Sequence, residues 1–136
     1  EGKVRYVMAS THSHAVGASL ASATLKLSNG DTKTKPALDA LMLRYNMSHK
    51  NAAESLSLSK ALDTNIPVLA FTTTRWNRLQ SEIANSFANP TTADCIKFAL
   101  HHPAVEIVLH SARDEEELEE TLLPLFATSS SKQLST

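Results

Sequence analysis

Residues 65–79 read NIPVLAFTTTRWNRL, and this stretch decides the fold class. Its first part, residues 66–71, is an apolar run typical of a strand buried on both faces. A polar cluster, residues 72–75 (TTTR), follows it directly. Parallel α/β sheets and barrels keep their functional side chains at the carboxyl ends of their strands. The stretch therefore predicts a buried parallel strand with a binding loop at its end.

Three further apolar runs have the same character and extend the pattern over the chain. Strands are predicted over residues 4–9, 38–45, 66–71 and 105–109, and helices over residues 15–27, 51–62, 76–87, 92–102 and from Asp114 onward. Thr91 and Asp94 have the spacing of a capping box, and Asp114 with Glu117 predicts the start of the last helix. Strands that recur every thirty to forty residues or so predict four βα units with right-handed crossovers.

Four βα units are compatible with a small open α/β sheet or with half of an eight-unit barrel. The chain has three glycines, and none lies in a GxGxxG motif, which disfavours the classical dinucleotide-binding sheet. A complete barrel typically needs about 250 residues. The barrel interpretation therefore implies that these 136 residues are part of a longer enzyme.

Composition narrows the class of protein. At 136 residues and 42% hydrophobic content, the chain is predicted to form one domain over residues 1–127, followed by a Ser-rich, flexible tail over residues 128–136. A net charge of -1 gives no basic field, so neither nucleic acid nor a membrane is an expected partner. A single cysteine, Cys95, cannot form an internal disulfide, and a cytoplasmic location is expected.

Four segments together resemble a known enzyme family. They are GKVRYV at residues 2–7, closed by Ser10, LRYN at residues 43–46, the strand and loop of residues 66–76, and AVEIVLHSARDEEELEETL at residues 104–122. Their order and approximate spacing resemble strands five to eight of the aldo-keto reductases. The resemblance implies the C-terminal half of a TIM (β/α)8 barrel, an α/β fold, with NADP(H) as cofactor.

The resemblance also implies a set of cofactor-binding residues. Ser10 matches a serine that binds the nicotinamide carboxamide, Tyr45 lies near the nicotinamide-stacking position, and residues 72–75 match the pyrophosphate loop. Arg113 would offset the repulsion between Glu117 and a 2′-phosphate, which is the basis for expecting NADP(H). The full set is Ser10, Thr11, Tyr45, Thr72, Thr73, Thr74, Arg75, Ser111, Arg113, Glu117, Glu120 and Thr121.

The catalytic Asp, Tyr, Lys and His of the family would all precede residue 1, so no catalytic residue is assigned. The leading hypothesis is a C-terminal fragment of an NADP(H)-dependent oxidoreductase that transfers hydride between the cofactor and a small carbonyl substrate. Exposed sheet edges would favour association with a partner. The alternative is a non-catalytic nucleotide-binding or interaction module of α/β type. A third interpretation is an unrelated α/β domain that binds a phosphate ligand without preference for nicotinamide.

Several single residues have simpler interpretations. The six histidines show no metal-ligand spacing such as HExxH, so no metal site is predicted. His12 and His110 follow strands and could line the mouth of the cofactor site. The residues expected to be structural or buried are Tyr6, Trp76, Cys95, Leu118, Leu122 and Leu123.

Overall fold

Helices pack on a parallel β-sheet in the described part of the chain, which in the computed structural model comprises residues 3–27, 34–79 and 89–127. The strands are β1 Met8–Thr11, β2 Thr24–Lys26, β3 Thr34–Pro36, β4 Ala40–Arg44, β5 Val68–Phe71 and β6 Val105–Val108. The α-helices are α1 His14–Ala21, α2 Lys50–Ala52, α3 Ser59–Asp63, α4 Thr92–Leu100 and α5 Glu115–Ala127. A 3₁₀ turn, Met47–His49, precedes α2, and a π-helical stretch, Ala53–Leu58, joins α2 to α3.

The sheet confirms the predicted mixed α/β class. The described strands form a four-stranded sheet in the order β1-β4-β5-β6, in which every neighbouring pair is parallel. The short strands β2 and β3 form a separate antiparallel pair. The four parallel strands therefore follow one another in space as they do along the chain. Since βα crossovers are right-handed, sequential order places the connecting helices on the same face of the sheet.

The hydrophobic core lies on that face. Side chains alternate along β4 and β5, so that Leu41, Leu43, Val68 and Ala70 are fully buried. They form one cluster with the helical residues Ala21, Ala53, Leu58, Ala61 and Ala99. Helices α1, α3 and α4 and the π-helical stretch thus share a single core with the sheet, and α5 packs beside α4.

The opposite face of the sheet is apolar and more accessible. By strand register, Ser10, Met42, Leu69 and Ile107 lie side by side across it. Ile107 is 49% exposed, and Met8, on the same face of β1, is 46% exposed. Among the described residues, none of these side chains belongs to the core cluster.

Helix α1 lies unusually close to the sheet. A Cβ atom at Gly17 would lie 2.9 Å from Cδ2 of Leu43 and 3.0 Å from Cβ of Ser57. Ser13 caps the helix by accepting a hydrogen bond from the backbone N of Val16. The glycine therefore allows α1 to contact β4 and the π-helical stretch at the same point.

The first predicted strand is displaced in the structure. β1 begins at Met8 rather than at residue 4, and Tyr6 is 77% exposed, so the prediction that Tyr6 fills the interior was wrong. Val7 contacts the loop before β4, where its backbone N donates to Oδ2 of Asp39 at 2.7 Å. β4 begins opposite Met8, so the preceding residues lack a strand to pair with.

The predicted helix over residues 15–27 ends earlier. α1 stops at Ala21, and the backbone N and hydroxyl of Ser22 both bond to the carbonyl of Ala18. Residues 24–26 pair instead with Thr34–Pro36. Leu25 and Leu27 follow the two-residue alternation of a strand, which the helical interpretation overlooked.

The buried face of the C-terminal helix α5 also differs from the predicted one. The capping box of Thr91 and Asp94 is confirmed, and so is the start of α5, where Oδ1 of Asp114 accepts from the backbone N of Glu117 at 2.9 Å. However, Leu118, Leu122 and Leu123 are exposed, and the buried residue of α5 is Thr121. The helix packs beside α4, and this contact leaves the three leucines exposed.

Some predictions fall on other parts of the chain. The predicted tail, residues 128–136, and residues 80–87 of a predicted helix lie outside the described residues. Within the described part, no helix is both long and apolar enough to cross a membrane.

Candidate functional site

A cleft lies at the carboxyl ends of β5 and β6, where the sequence predicts a binding loop. Its volume is about 350 Å³. We call it the loop cleft, and it is lined by Thr72, Thr73, Thr74, Trp76, Asn77, Leu109, His110, Ser111, Arg113 and Glu117. Parallel strands that end side by side bring their following loops together, which explains why residues almost forty positions apart meet here.

The loop after β5 has a left-handed backbone. The φ angles are 52° at Thr72, 52° at Arg75, 55° at Trp76 and 62° at Asn77. Such a conformation costs a residue with a side chain about 1–2 kcal/mol. Strain of this kind tends to be kept at functional sites, and alternating backbone conformations can turn successive N–H groups toward an anion.

The same backbone angles correct the predicted start of a helix, and Trp76 is accessible there. A right-handed helix cannot begin at Trp76, where the sequence predicted one, because Trp76 and Asn77 have positive φ. Trp76, for which the sequence favoured a structural role, is 69% exposed and lines the loop cleft. The local sequence does not reveal this turn, since the loop contains no glycine.

A buried asparagine holds the loop in place. Asn46 follows β4 and is fully buried. Its Nδ2 donates to the carbonyl of Thr72 at 3.0 Å, and its Oδ1 accepts from the backbone N of His49 at 3.1 Å. The carbonyl of Thr72 also accepts from the backbone N of Arg75 at 3.0 Å. Sequence reasoning missed Asn46 as a positioning residue, although a polar residue directly after a strand is a recognisable signal.

Two residues that line the loop cleft each carry a polar atom with no hydrogen-bond partner within the described structure. These atoms are Oγ1 of Thr72 and Nε2 of His110, and both are buried from solvent. Buried polar atoms are nearly always paired, and leaving one unpaired costs about 1–3 kcal/mol. Both groups therefore have hydrogen-bonding capacity that the described structure leaves unused.

Arg113 is already paired with a carboxylate. Its backbone N and its Nε donate to Oε2 of Glu117 at 2.8 and 3.0 Å. The hydrogen bond from the Arg113 backbone, followed by that from its side chain, lowers the pKa of Glu117, and Glu117 in turn raises the pKa of Arg113. Both groups remain charged at neutral pH, and the guanidinium faces an anion of its own.

A second recess adjoins the loop cleft between α4 and α5. Its volume is about 600 Å³, and it shares Asn77, Arg113 and Glu117 with the loop cleft. We call it the acidic recess. Its remaining lining residues are Asn89, Pro90, Thr91, Thr92, Ala93, Asp114, Glu116, Glu120 and Thr121.

Most of the predicted cofactor residues meet in these two spaces. The loop cleft brings together Thr72, Thr73, Thr74, Ser111, Arg113 and Glu117, and the acidic recess adds Glu120 and Thr121. Arg75 does not line either space. Ser10 and Thr11 lie on β1, separated from β5 by β4, and Oγ1 of Thr11 accepts from the backbone N of Ser13.

Tyr45 is placed apart from the cleft. Its side chain is buried in the helical layer, where its hydroxyl donates to Oε1 of Glu54 at 2.7 Å and its ring packs beside Phe98 and His102. Burial, followed by the hydrogen bond to Glu54, raises the pKa of Tyr45. A ring held in this position does not stack on a ligand in the loop cleft.

Cys95 lies in the interior, and His12 lies at the end of β1. Cys95 is fully buried, as predicted for a core position, and burial raises the pKa of its thiol. His12 is exposed at the end of β1, and its ring meets that of Phe71 edge-on at 4.9 Å. It does not line the loop cleft. Within the described residues, no three His, Cys, Asp or Glu side chains form a group that could hold a metal ion.

Comparison with protein-family models, with curated proteins and with solved structures found no match. The geometry of the loop cleft and its surroundings is therefore the basis for assigning a function.

A buried histidine forms a separate polar site beneath α1. Nδ1 of His14 lies 3.0 Å from Oγ of Ser57, while its Nε2 is buried without a partner within the described residues. Burial, then the nearby Arg44 and His49, lowers the pKa of His14. The imidazole is therefore neutral at pH 7.

Acidification is expected to weaken the fold through His14. The unfolded chain binds the proton more readily than the folded chain, so the stabilisation is present above the ordinary histidine pKa of about 6.5 and is lost as pH falls below it. Urea denaturation at pH 7.5 and pH 5.0 measures this loss. His14→Gln should reduce it, leaving the part due to His102, whose pKa burial also lowers. An equal loss of stability on acidification in His14→Gln and in wild type would contradict the assignment of this pH dependence to His14. His101→Gln is the control, because His101 is exposed.

Proposed function

We propose that the loop cleft binds the phosphates of a nicotinamide dinucleotide and that the chain is the cofactor-binding half of an oxidoreductase resembling the aldo-keto reductases. The observation that carries the proposal is a polar cleft at the carboxyl ends of parallel strands, whose lining residues include Thr72 and His110, each with a polar atom that has no partner in the described structure. Ligand sites of α/β folds lie at this edge of the sheet.

The chemistry of the loop cleft suits a diphosphate. Hydroxyl groups of Thr72 and Ser111 can donate to phosphate oxygens, and the left-handed loop after β5 can present backbone N–H groups. A volume of about 350 Å³ is at the lower end of the range for small-molecule sites, which fits the phosphate portion of a larger ligand.

The sheet supports the half-barrel part of the proposal. The strands are parallel and sequential, with no reversal of order, and the described helices pack on one face. The other face carries Met8, Met42, Leu69 and Ile107. In a closed (β/α)8 barrel that face is the interior, where apolar side chains from all eight strands pack in layers.

In this proposal the chain binds and orients the cofactor, and the acid and base groups of the reaction come from residues outside these 136. The resemblance implies NADP(H) as the cofactor and a small carbonyl compound as the substrate. The cofactor supplies the hydride chemistry when it is bound.

A second candidate is a non-catalytic nucleotide-binding or interaction module of α/β type. It is favoured by the positions of Ser10, Thr11 and Tyr45, the residues that the resemblance associates with nicotinamide. They do not line the loop cleft. Such a module would bind the phosphates of a nucleotide without preference for the nicotinamide ring.

Dinucleotide binding by the Thr72→Val variant tests the proposal directly. This substitution removes the unpartnered hydroxyl and keeps the shape of the side chain. A hydrogen bond to a charged group contributes about 1.5–3 kcal/mol, so the affinity for NADH or NADPH should fall about tenfold or more. The measurement is a fluorescence titration of the purified chain with each dinucleotide, followed by competition with ADP-ribose and with pyrophosphate.

Thr24→Val is the matched control, because Thr24 is exposed on β2, away from the cleft. Competition by ADP-ribose as strong as that of the dinucleotides would favour the second candidate. A folded chain that binds none of these ligands, or a Thr72→Val variant with unchanged affinity, would refute the assignment of the loop cleft.

A further inference from the structure

Arg44 lies at the carboxyl end of β4, on the sheet face opposite the core. Along β4, Leu41 and Leu43 belong to the core cluster, so Met42 and Arg44 lie on the other face. Arg44 pairs in register with Phe71, the last residue of β5. It does not line the loop cleft. A guanidinium group is therefore placed on a largely apolar face, at the edge of the sheet where ligands of parallel α/β folds bind.

Two rings meet beside Arg44. The ring of His12, which directly follows β1, contacts the ring of Phe71 at a centroid distance of 4.9 Å. Strands β1 and β5 lie on either side of β4 in the sheet. The two rings therefore meet across the end of the strand that carries Arg44. Arg44 itself is only partly exposed, and its Nε is buried from solvent.

The protein does not neutralise the charge of Arg44. Its Nε has no hydrogen-bond partner, and among the described residues no carboxylate forms an ion pair with it. A partly buried charge is normally paired, because removing it from water without a partner is costly. An arginine cannot relieve this cost by losing its proton. The uncompensated cation therefore favours the binding of an anion.

The surroundings of Arg44 are also cationic. Burial, then the charges of Arg44 and His49, lowers the pKa of His14, and no carboxylate is among these causes. The side chain of His14 is 7% exposed, and its Nε2 has no partner within the described residues. Near the end of β4, the described part of the chain thus holds positive charge without an acidic group to balance it.

The chemistry around Arg44 suits one kind of anion. A planar carboxylate matches the planar guanidinium, which can donate two parallel hydrogen bonds to it. One guanidinium balances one negative charge, whereas a phosphate carries more charge and requires further donors. Met42 and Phe71, on the same face, are apolar and can contact a short carbon chain.

We infer that Arg44 binds the carboxylate of a small organic acid at the carboxyl edge of this sheet face. The identity of the acid rests on the proposed function: the carbonyl substrate of the oxidoreductase is an oxo acid, whose carboxylate contacts Arg44. Arg44 is then a substrate-binding residue that takes no part in proton transfer.

Pyruvate, the simplest 2-oxo acid, is the probe. It is titrated into the purified chain, with and without NADPH, and binding is followed by NMR. We expect saturable shifts of the His12 and Phe71 resonances. Arg44→Gln should raise the Kd for pyruvate about tenfold or more, because a charge-assisted, bidentate contact is lost. Arg5→Gln is the matched control and should leave the Kd unchanged, since Arg5 is exposed and precedes β1.

A second measurement does not depend on the folding of any variant. Pyruvamide, in which a neutral amide replaces the carboxylate, should bind to wild type about tenfold or more weakly than pyruvate does. Equal binding of the two compounds, an unchanged Kd in Arg44→Gln, or tighter binding of inorganic phosphate than of pyruvate would overturn the inference.

The same titrations separate this inference from the proposed function. A chain that binds dinucleotides but not pyruvate would overturn the inference and leave the proposed function intact. A folded chain that binds pyruvate through Arg44 but no dinucleotide would keep the carboxylate site and overturn the proposed function.

Discussion

Leu43→Ala is expected to lower the free energy of unfolding by about 3 kcal/mol. Leu43 is fully buried in the centre of β4, on the face that carries the core cluster. Gly17 brings α1 close against it, since a Cβ at position 17 would lie 2.9 Å from Cδ2 of Leu43. Truncation removes buried apolar surface and leaves a cavity that the sheet and helix can fill only in part. Urea denaturation followed by circular dichroism measures the loss.

Leu69→Ala is the matched control for this prediction. Leu69 lies on the adjacent strand β5 but on the opposite face, where it is only partly buried. Its truncation should cost about 1 kcal/mol, since less apolar surface is removed from a packed environment. Equal losses in the two variants would contradict the conclusion that the core lies on one face of the sheet.

Asn46→Ala is expected to lower the free energy of unfolding by about 2 kcal/mol and to weaken ligand binding in the loop cleft. Asn46 is fully buried, and its amide contacts the carbonyl of Thr72, the backbone N of His49 and, at 3.0 Å, Nδ1 of His49. Each hydrogen bond contributes about 0.5–1.5 kcal/mol, and groups left unpaired in the interior add to the loss. Without the contact to Thr72, the left-handed loop loses one of the bonds that hold its strained backbone.

Two measurements distinguish the role of Asn46 in holding the loop after β5 from general destabilisation of the fold. Denaturation gives the stability change, and dinucleotide titration well below the unfolding midpoint gives the affinity of the folded fraction. Asn51→Ala, at an exposed position of α2, is the control. It should change neither the free energy of unfolding nor the free energy of binding by more than about 0.5 kcal/mol. An Asn46→Ala variant with wild-type affinity would mean that the conformation of the loop does not depend on Asn46.

Sequence reasoning succeeded where short-range patterns control structure. The strand predicted over residues 66–71 and observed at Val68–Phe71, the capping box of Thr91 and Asp94, and the start of α5 after Asp114 depend on side chains within a few positions of one another. The polar loop after β5 was predicted for the same reason, because polar residues directly follow an apolar strand, whereas the candidate residues after β6 came from the family resemblance.

The failures share a different cause. Tyr6 was assigned to the interior because residues 4–9 have a strand-like composition, yet its neighbours lack a strand to pair with. Trp76 was assigned to a helix because of the spacing of later apolar residues, and the left-handed turn at Arg75, Trp76 and Asn77 has no glycine to signal it. Leu118, Leu122 and Leu123 have helical spacing, yet all three are exposed in the described structure.

The amino-acid sequence by itself determined the α/β class, the parallel strands and the polar character of the loops after β5 and β6, because hydrophobic periodicity and capping are local properties. The tertiary structure alone decided that Asn46 holds the carbonyl of Thr72 and that Tyr45 turns into the helical layer. It also decided that the loop cleft opens into a recess lined with carboxylates. These contacts join residues that are far apart along the chain, and they depend on which strands pair and which helices pack together, information that no local pattern contains.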